Sequence, residues 1–172
     1  MRPRSTALLA AATMVAATAG GCGGGGSTSE PSEGGNGDAI TTSSLSKAQY
    51  ISRASAACQR QQEKIGLRVI AFEKQHPSGG ARTPKIYAEE VKAVWLPMVE
   101  GEIRALHELG APAGDEAKIE AMLAADEASV ARAASLKRIK SLEAAAGLFS
   151  RAGEMLRAYG LEKCTIRLTP TG

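Results

Sequence analysis

Histidines, aromatic residues and paired-cysteine motifs are nearly missing from this chain, and each shortage closes off a class of function. The two histidines, His76 and His107, lie in separate segments, and neither a His-x-x-His nor a Cys-x-x-Cys spacing occurs. A zinc or di-iron site therefore lacks its usual ligand pattern, and covalent haem lacks its Cys-x-x-Cys-His run. No local signature supports a Ser-His-Asp set. Aromatics make up 3 % of the residues. With so few aromatic and β-branched runs, strands are poorly supported. Strong net charge is lacking as well. The formal +3 of the whole chain falls to +1 if Arg2 and Arg4 leave with residues 1–21, a balance that argues against a general nucleic-acid binder.

Several features that could pass for sites have plainer readings. Gly23 to Gly26 follows no strand and opens no helix, so it is not a phosphate loop. Glu89-Glu90, Glu100 with Glu102, and Asp115-Glu116 are carboxylate pairs of the kind that solvated helix faces carry. No catalytic residue, metal ligand or cofactor is assigned, and the expectation is a protein that is not an enzyme.

What is present begins with an export segment. Arg2 and Arg4 precede an apolar run, Ala7 to Ala17, that is too short to span roughly 30 Å of hydrocarbon. Ala19-Gly20-Gly21-Cys22 then resembles a lipobox, with Ala19 where Leu is usual. On this reading Cys22 is acylated, and two acyl chains anchor the mature protein durably in a membrane. The competing reading takes Ala17-Thr18-Ala19 as an ordinary cleavage site and releases a soluble, secreted protein beginning at Gly20. Residues 22–44 are Gly, Ser, Thr, Glu and Asn with almost nothing apolar, and are expected to form a flexible tether.

Alanine-rich, charge-interleaved sequence comes next, which favours helix. Ser46 and Gln49 have the spacing of a capping box, and Leu45 and Tyr50 that of a hydrophobic staple. Ile51, Ala54, Cys58, Gln61, Ile65, Val69 and Phe72 then mark one helical face, which Gly66 weakens and Pro77 ends. Thr83-Pro84 opens a second helix, and Pro97 in its middle should kink it. A third starts near Asp115-Glu116, and a poorly marked break near Ser141 precedes a fourth. Tyr159-Gly160-Leu161 reads as a Schellman ending, with Leu161 packing on Leu156. Four helices with short connections predict an all-α fold, an up-down-up-down four-helix bundle over residues 45–172.

Cysteine arithmetic supports export. With Cys22 spent on lipid, Cys58 and Cys164 remain as an even pair, which an oxidising envelope should join. Cys58 lies roughly 18 Å along the first helix from Ser46, and an extended tail beyond Tyr159 reaches about 16 Å back. The pairing is feasible in that topology. The alternative is two free thiols.

The glycine-rich segment after Cys22, the stretch Tyr50 to Cys58, the turn Gly110 to Lys118 and the ending Ala158 to Cys164 together resemble a group of small actinobacterial envelope lipoproteins of unknown function. The likeness spans most of the mature chain. It implies export, a helical domain and a disulfide between Cys58 and Cys164, and it implies no activity.

Charge is unevenly spread. Residues 46–85 carry eight basic and two acidic groups, residues 86–131 three and ten, and residues 132–172 eight and three. The first and fourth helices are thus basic, the second and third acidic. A basic side could rest on anionic lipid or an acidic cell-wall polymer near the anchor; the plainer reading is pairing across the bundle. The sequence specifies no protein partner. The reading is a membrane-tethered helical binding or spacer module on the extracytoplasmic face of the cell membrane. Its alternative is a binder of a small molecule or cofactor in the bundle interior, with Trp95 and Met98 as the wall of the pocket. Core filling is the plainer role for both residues.

Overall fold

The computed structural model describes residues 39–77 and 82–166. These residues are mostly helical with little strand, consistent with an all-α chain. The first helix, α1 (Lys47–Glu63), begins at a complete capping box. Ser46 Oγ accepts from the Gln49 N–H at 3.3 Å, and Gln49 Oε1 accepts from the Ser46 N–H at 2.9 Å. Two orphan backbone donors are satisfied reciprocally. Tyr50, Ala54, Ala57 and Cys58 form its buried face.

The apolar stripe continues to Phe72, but the helix does not run on unbroken. At Lys64 the N–H tightens onto the Gln61 carbonyl at 3.2 Å, and a separate helix, α2 (Ile65–Gln75), begins. Gly66, beside the break, has no atom within 4 Å of where a Cβ would stand. Nothing packs there to hold the helix in register, and glycine favours leaving it. Of α2 only Phe72 is fully buried. The helix stops at His76, whose backbone leaves the helical region because Pro77 comes next.

Thr83 Oγ1 caps α3 (Pro84–Glu90) by accepting from the Ile86 N–H at 3.3 Å, with Pro84 at the first helical position. Pro97 does not simply kink the second helical run. Val91–Trp95 widens into a π-turn, closed by the Leu96 N–H on the Val91 carbonyl, before α4 (Leu96–Leu109) resumes. A proline ring clashes with the carbonyl four residues back, and five-residue spacing just ahead of it relieves that crowding.

Gly110 then turns the chain at φ 64°. Ala111–Pro112 (β2) pairs in parallel with Thr42–Ser43 (β1). The expectation that residues 22–44 are a free tether therefore fails at its C-terminal end. Ile40 packs on the core, the Thr41 carbonyl accepts from the Ala111 N–H at 2.8 Å, and Thr42 Oγ1 donates to Glu116 at 2.9 Å. One apolar side chain and a backbone edge left open by the Gly110 turn fix the segment; composition hid both.

Asp115 precedes α5 (Glu116–Ser135). The break expected near Ser141 is a loop over 136–141, in which the Ile139 N–H reaches back to the Pro84 carbonyl at 2.8 Å. Ser141 caps α6 (Leu142–Gly147), and α7 (Ser150–Tyr159) begins after a two-residue interruption. At Gly160 (φ 104°) the Leu161 N–H bonds the Leu156 carbonyl at 2.8 Å and the Gly160 N–H bonds Arg157 at 3.0 Å, the two bonds of a Schellman ending. A 3₁₀ turn over Glu162–Cys164 closes the described chain.

Helix α4 packs on both α1 and α5, α5 packs on α7, and the 3₁₀ turn returns to α1. Tyr50, Met98, Leu106, Ile119, Leu123 and Leu156 are fully buried between these helices. Among the described residues no helix is long and apolar enough to cross a membrane.

Candidate functional site

Cys58 and Cys164 form a disulfide, with Cα atoms 5.1 Å apart and a sequence separation of 106. Each half arises from local structure. Cys58 stands one turn after Ala54 on the buried face of α1, and both are inaccessible. Gly160 reverses the chain after α7, so that the next turn lies against α1. Gln62 of α1 adds a hydrogen bond from Nε2 to the Lys163 carbonyl. Closing a loop of this length is worth about 4–5 kcal/mol in the chain-entropy limit. Cys22 and the candidate cleavage positions around Ala19 lie outside the described residues.

Among the described residues, the space against the residues read as a pocket wall is small. Met98 is 1 % exposed and belongs to the core. Trp95 is half-buried, and the cleft against it, with Leu142, Ala146 and Phe149, holds about 10 Å³. That is room for about one water.

A buried polar cluster lies elsewhere, and it includes an acid that the sequence pattern assigns to solvent. Glu102 of α4 is 4 % exposed and Asp126 of α5 is 8 % exposed. Gln62 of α1 donates from Nε2 to Glu102 Oε1 at 3.3 Å. The expectation of a solvated face holds for Glu100, which is exposed, and fails for Glu102, which points inward. Spacing carried the signal. Met98, Glu102 and Leu106 are four apart on one face, and Asp126 comes after Ile119, Met122 and Leu123 on another, so both acids occupy stripe positions.

Burial raises the Glu102 carboxyl to about 8; the Gln62 hydrogen bond opposes this, and the nearby Asp126 charge adds to it. Burial likewise raises Asp126 to about 7, helped by the charge of Glu127. Low dielectric disfavours the ionised form, and a second carboxyl makes that worse. At neutral pH the pair holds protons that exposed acids would have lost. Among the described residues no group of three or more His, Cys, Asp or Glu is gathered for an ion.

Both histidines are engaged with carboxylates. His107 Nε2 lies 3.3 Å from Glu127 and His76 Nε2 lies 3.4 Å from Glu89. Arg82 bridges Glu73 of α2 and the buried Glu90 of α3. Part of the charge asymmetry is thus spent on pairs between the basic and acidic segments. The basic α1 also has the acidic α4 as its direct packing neighbour.

Comparison with protein-family models, with curated proteins and with solved structures finds no match to this chain.

Proposed function

We propose that this chain is a non-catalytic domain held by lipid on Cys22 to the extracytoplasmic face of a membrane, akin to the small actinobacterial envelope lipoproteins that it resembles. The domain acts as a binding or spacer module. Its four helical runs, interrupted as described, are arranged up-down-up-down. The observation that carries the reading is the Cys58–Cys164 disulfide. A buried bridge of this kind belongs to an oxidising compartment. It also accounts for two of the three cysteines and leaves Cys22, next to an export-type segment, free for acylation. The 10 Å³ cleft at Trp95 weighs against the alternative of a ligand carried in the interior.

Intact-mass analysis of the native protein, before and after reduction, tests this. A mature chain starting at Cys22, heavier by a diacylglyceryl group and gaining two hydrogens on reduction, is the expected result. A lipid-free chain starting at Gly20 would replace the anchored protein with a secreted one. Two free thiols in the native protein would overturn the envelope reading.

A further inference from the structure

We propose that α2 is a bilayer-contacting element, in which Leu67 and Ile70 enter the interface of an anionic membrane while Lys64 and Arg68 take lipid phosphate oxygens. The inference rests on the reading of a domain tethered at a membrane and names the surface that meets it.

Leu67 and Ile70 are the large hydrophobic side chains most open to solvent among the described residues, at 75 % and 54 % exposed. They stand three apart, on the side of α2 opposite buried Phe72, with exposed Ala71 and Lys74 on the same face. Two aliphatic side chains alone would need no explanation. Their surroundings provide one. From Arg60 to Lys74 the chain carries Arg60, Lys64, Arg68 and Lys74 against Glu63 and Glu73, and Glu73 is already held by Arg82. An apolar apex rimmed by cations is the pattern of an interfacial helix on acidic lipid.

Arg68 supplies the independent observation. Its Nη1 is buried and has no hydrogen-bond partner among the described residues. It stands in a groove of about 450 Å³ between α2 and α4, with Lys64 and Arg104 on its walls and Glu100 and Glu108 on the α4 side. Gln61 is folded against Gly101, where a Cβ would come within 2.7 Å of its Oε1, and it accepts from Lys64 Nζ at 3.1 Å. The groove therefore holds a guanidinium with one buried, unpaired nitrogen and a lysine beside it, and Arg68 must turn outward to offer that nitrogen. A phosphate oxygen satisfies such a donor with a charge-assisted bond. A soluble acidic polymer would use these cations but not Leu67 and Ile70. A second copy of the chain would use the aliphatics but leave Arg68 unpaired. Acidic phospholipid uses both. The chain from Cys22 to Ala39 can extend up to roughly 60 Å, so an anchored domain can bring α2 to the surface.

Hydrogen exchange of the α2 amides in the full chain tests the proposal, using phosphatidylglycerol vesicles, phosphatidylcholine vesicles and glycerol 3-phosphate alone. Phosphatidylglycerol should slow α2 exchange about tenfold while α5 exchange is unchanged, and the other two should not. Leu67→Ser with Ile70→Ser should abolish that protection, and Arg68→Gln should weaken vesicle binding about fivefold. Both changes are at solvent-facing or unpaired groups, and unchanged α5 exchange reports that the fold is intact. Unaltered α2 exchange on phosphatidylglycerol overturns the proposal even if the chain floats with the vesicles, which leaves the lipid anchor standing. Protection by glycerol 3-phosphate alone would make this a free-phosphate site instead. Protection without vesicles that grows with protein concentration would make it an interface between copies. A chain whose mass shows no lipid, but whose α2 is still protected on phosphatidylglycerol, would remove the anchor and leave this surface.

Discussion

Replacing Glu102 by Gln should stabilise the protein at alkaline pH and do little in acid. The side chain keeps its oxygen for Gln62, which lies 3.3 Å away, and keeps its volume in the core. What it loses is the ability to ionise where burial opposes ionisation. In the folded chain the carboxyl titrates at about 8 against an ordinary 4.5. The folded state therefore binds a proton that the unfolded state releases between those two values, so stability falls as pH rises through that window. At about 1.4 kcal/mol per decade the ceiling is about 4 kcal/mol at pH 8, and structural relaxation around the charge lowers it. A gain of about 2–4 kcal/mol in the Gln variant is the working figure at pH 8, shrinking toward zero near pH 4.5. Urea denaturation at a series of pH values reads it directly. With a slope near 1.5 kcal/mol per molar, the midpoint should move up by about 1.3–2.7 M at pH 8. Equal shifts at both ends of the series, or a loss of stability at pH 8, would refute the reasoning. Asp126→Asn should behave alike over a window ending near 7, and the double variant should gain less than the sum because the two acids interact.

Two further outcomes are expected from the fold. Gly110→Ala places a Cβ 2.6 Å from the Thr41 carbonyl at a backbone φ of 64°, so it should cost about 1–3 kcal/mol and speed exchange of the Ala111 amide, whose partner is that carbonyl. An Ala111 amide as slow as before would show that β1 does not depend on the glycine. Cys58→Ala with Cys164→Ala should lower stability by about 3–5 kcal/mol, read as a drop in the thermal midpoint, with helicity retained on cooling; an unchanged midpoint would show that the bridge contributes nothing.

Signals carried by neighbouring residues could be read without coordinates. Ser46 with Gln49, Thr83 with Pro84, and Gly160 with Leu161 each act within a single turn, so their chemistry is complete in a few letters. The Cys58–Cys164 pairing was legible by parity and reach. Features that depend on distant partners were not. The break at Lys64 arises because nothing packs beside Gly66. The π-turn ahead of Pro97 is a change of register that the proline alone does not announce. The pairing of Thr42 with Ala111 joins residues far apart in sequence, and no local pattern in a polar stretch announces it. Glu102 and Asp126 were the legible features overlooked. Each breaks an apolar stripe at its centre, and a charged letter there marks a buried acid as readily as a solvated one. At Trp95 and Met98, large side chains beside a helix irregularity pack into the core and leave a cleft of about 10 Å³ among the described residues.

The short parallel bridge between Thr42–Ser43 and Ala111–Pro112 also decides how the domain bears load. A pull on the N-terminal chain is not delivered first to the opening turn of α1. It meets the bridge, where the hydrogen bonds lie across the strands and must be sheared together, and the strain passes into the corner joining α4 to α5. Behind that corner, the sulfur bridge clips the turn after α7 to α1, so that helix cannot peel away from the fold on its own.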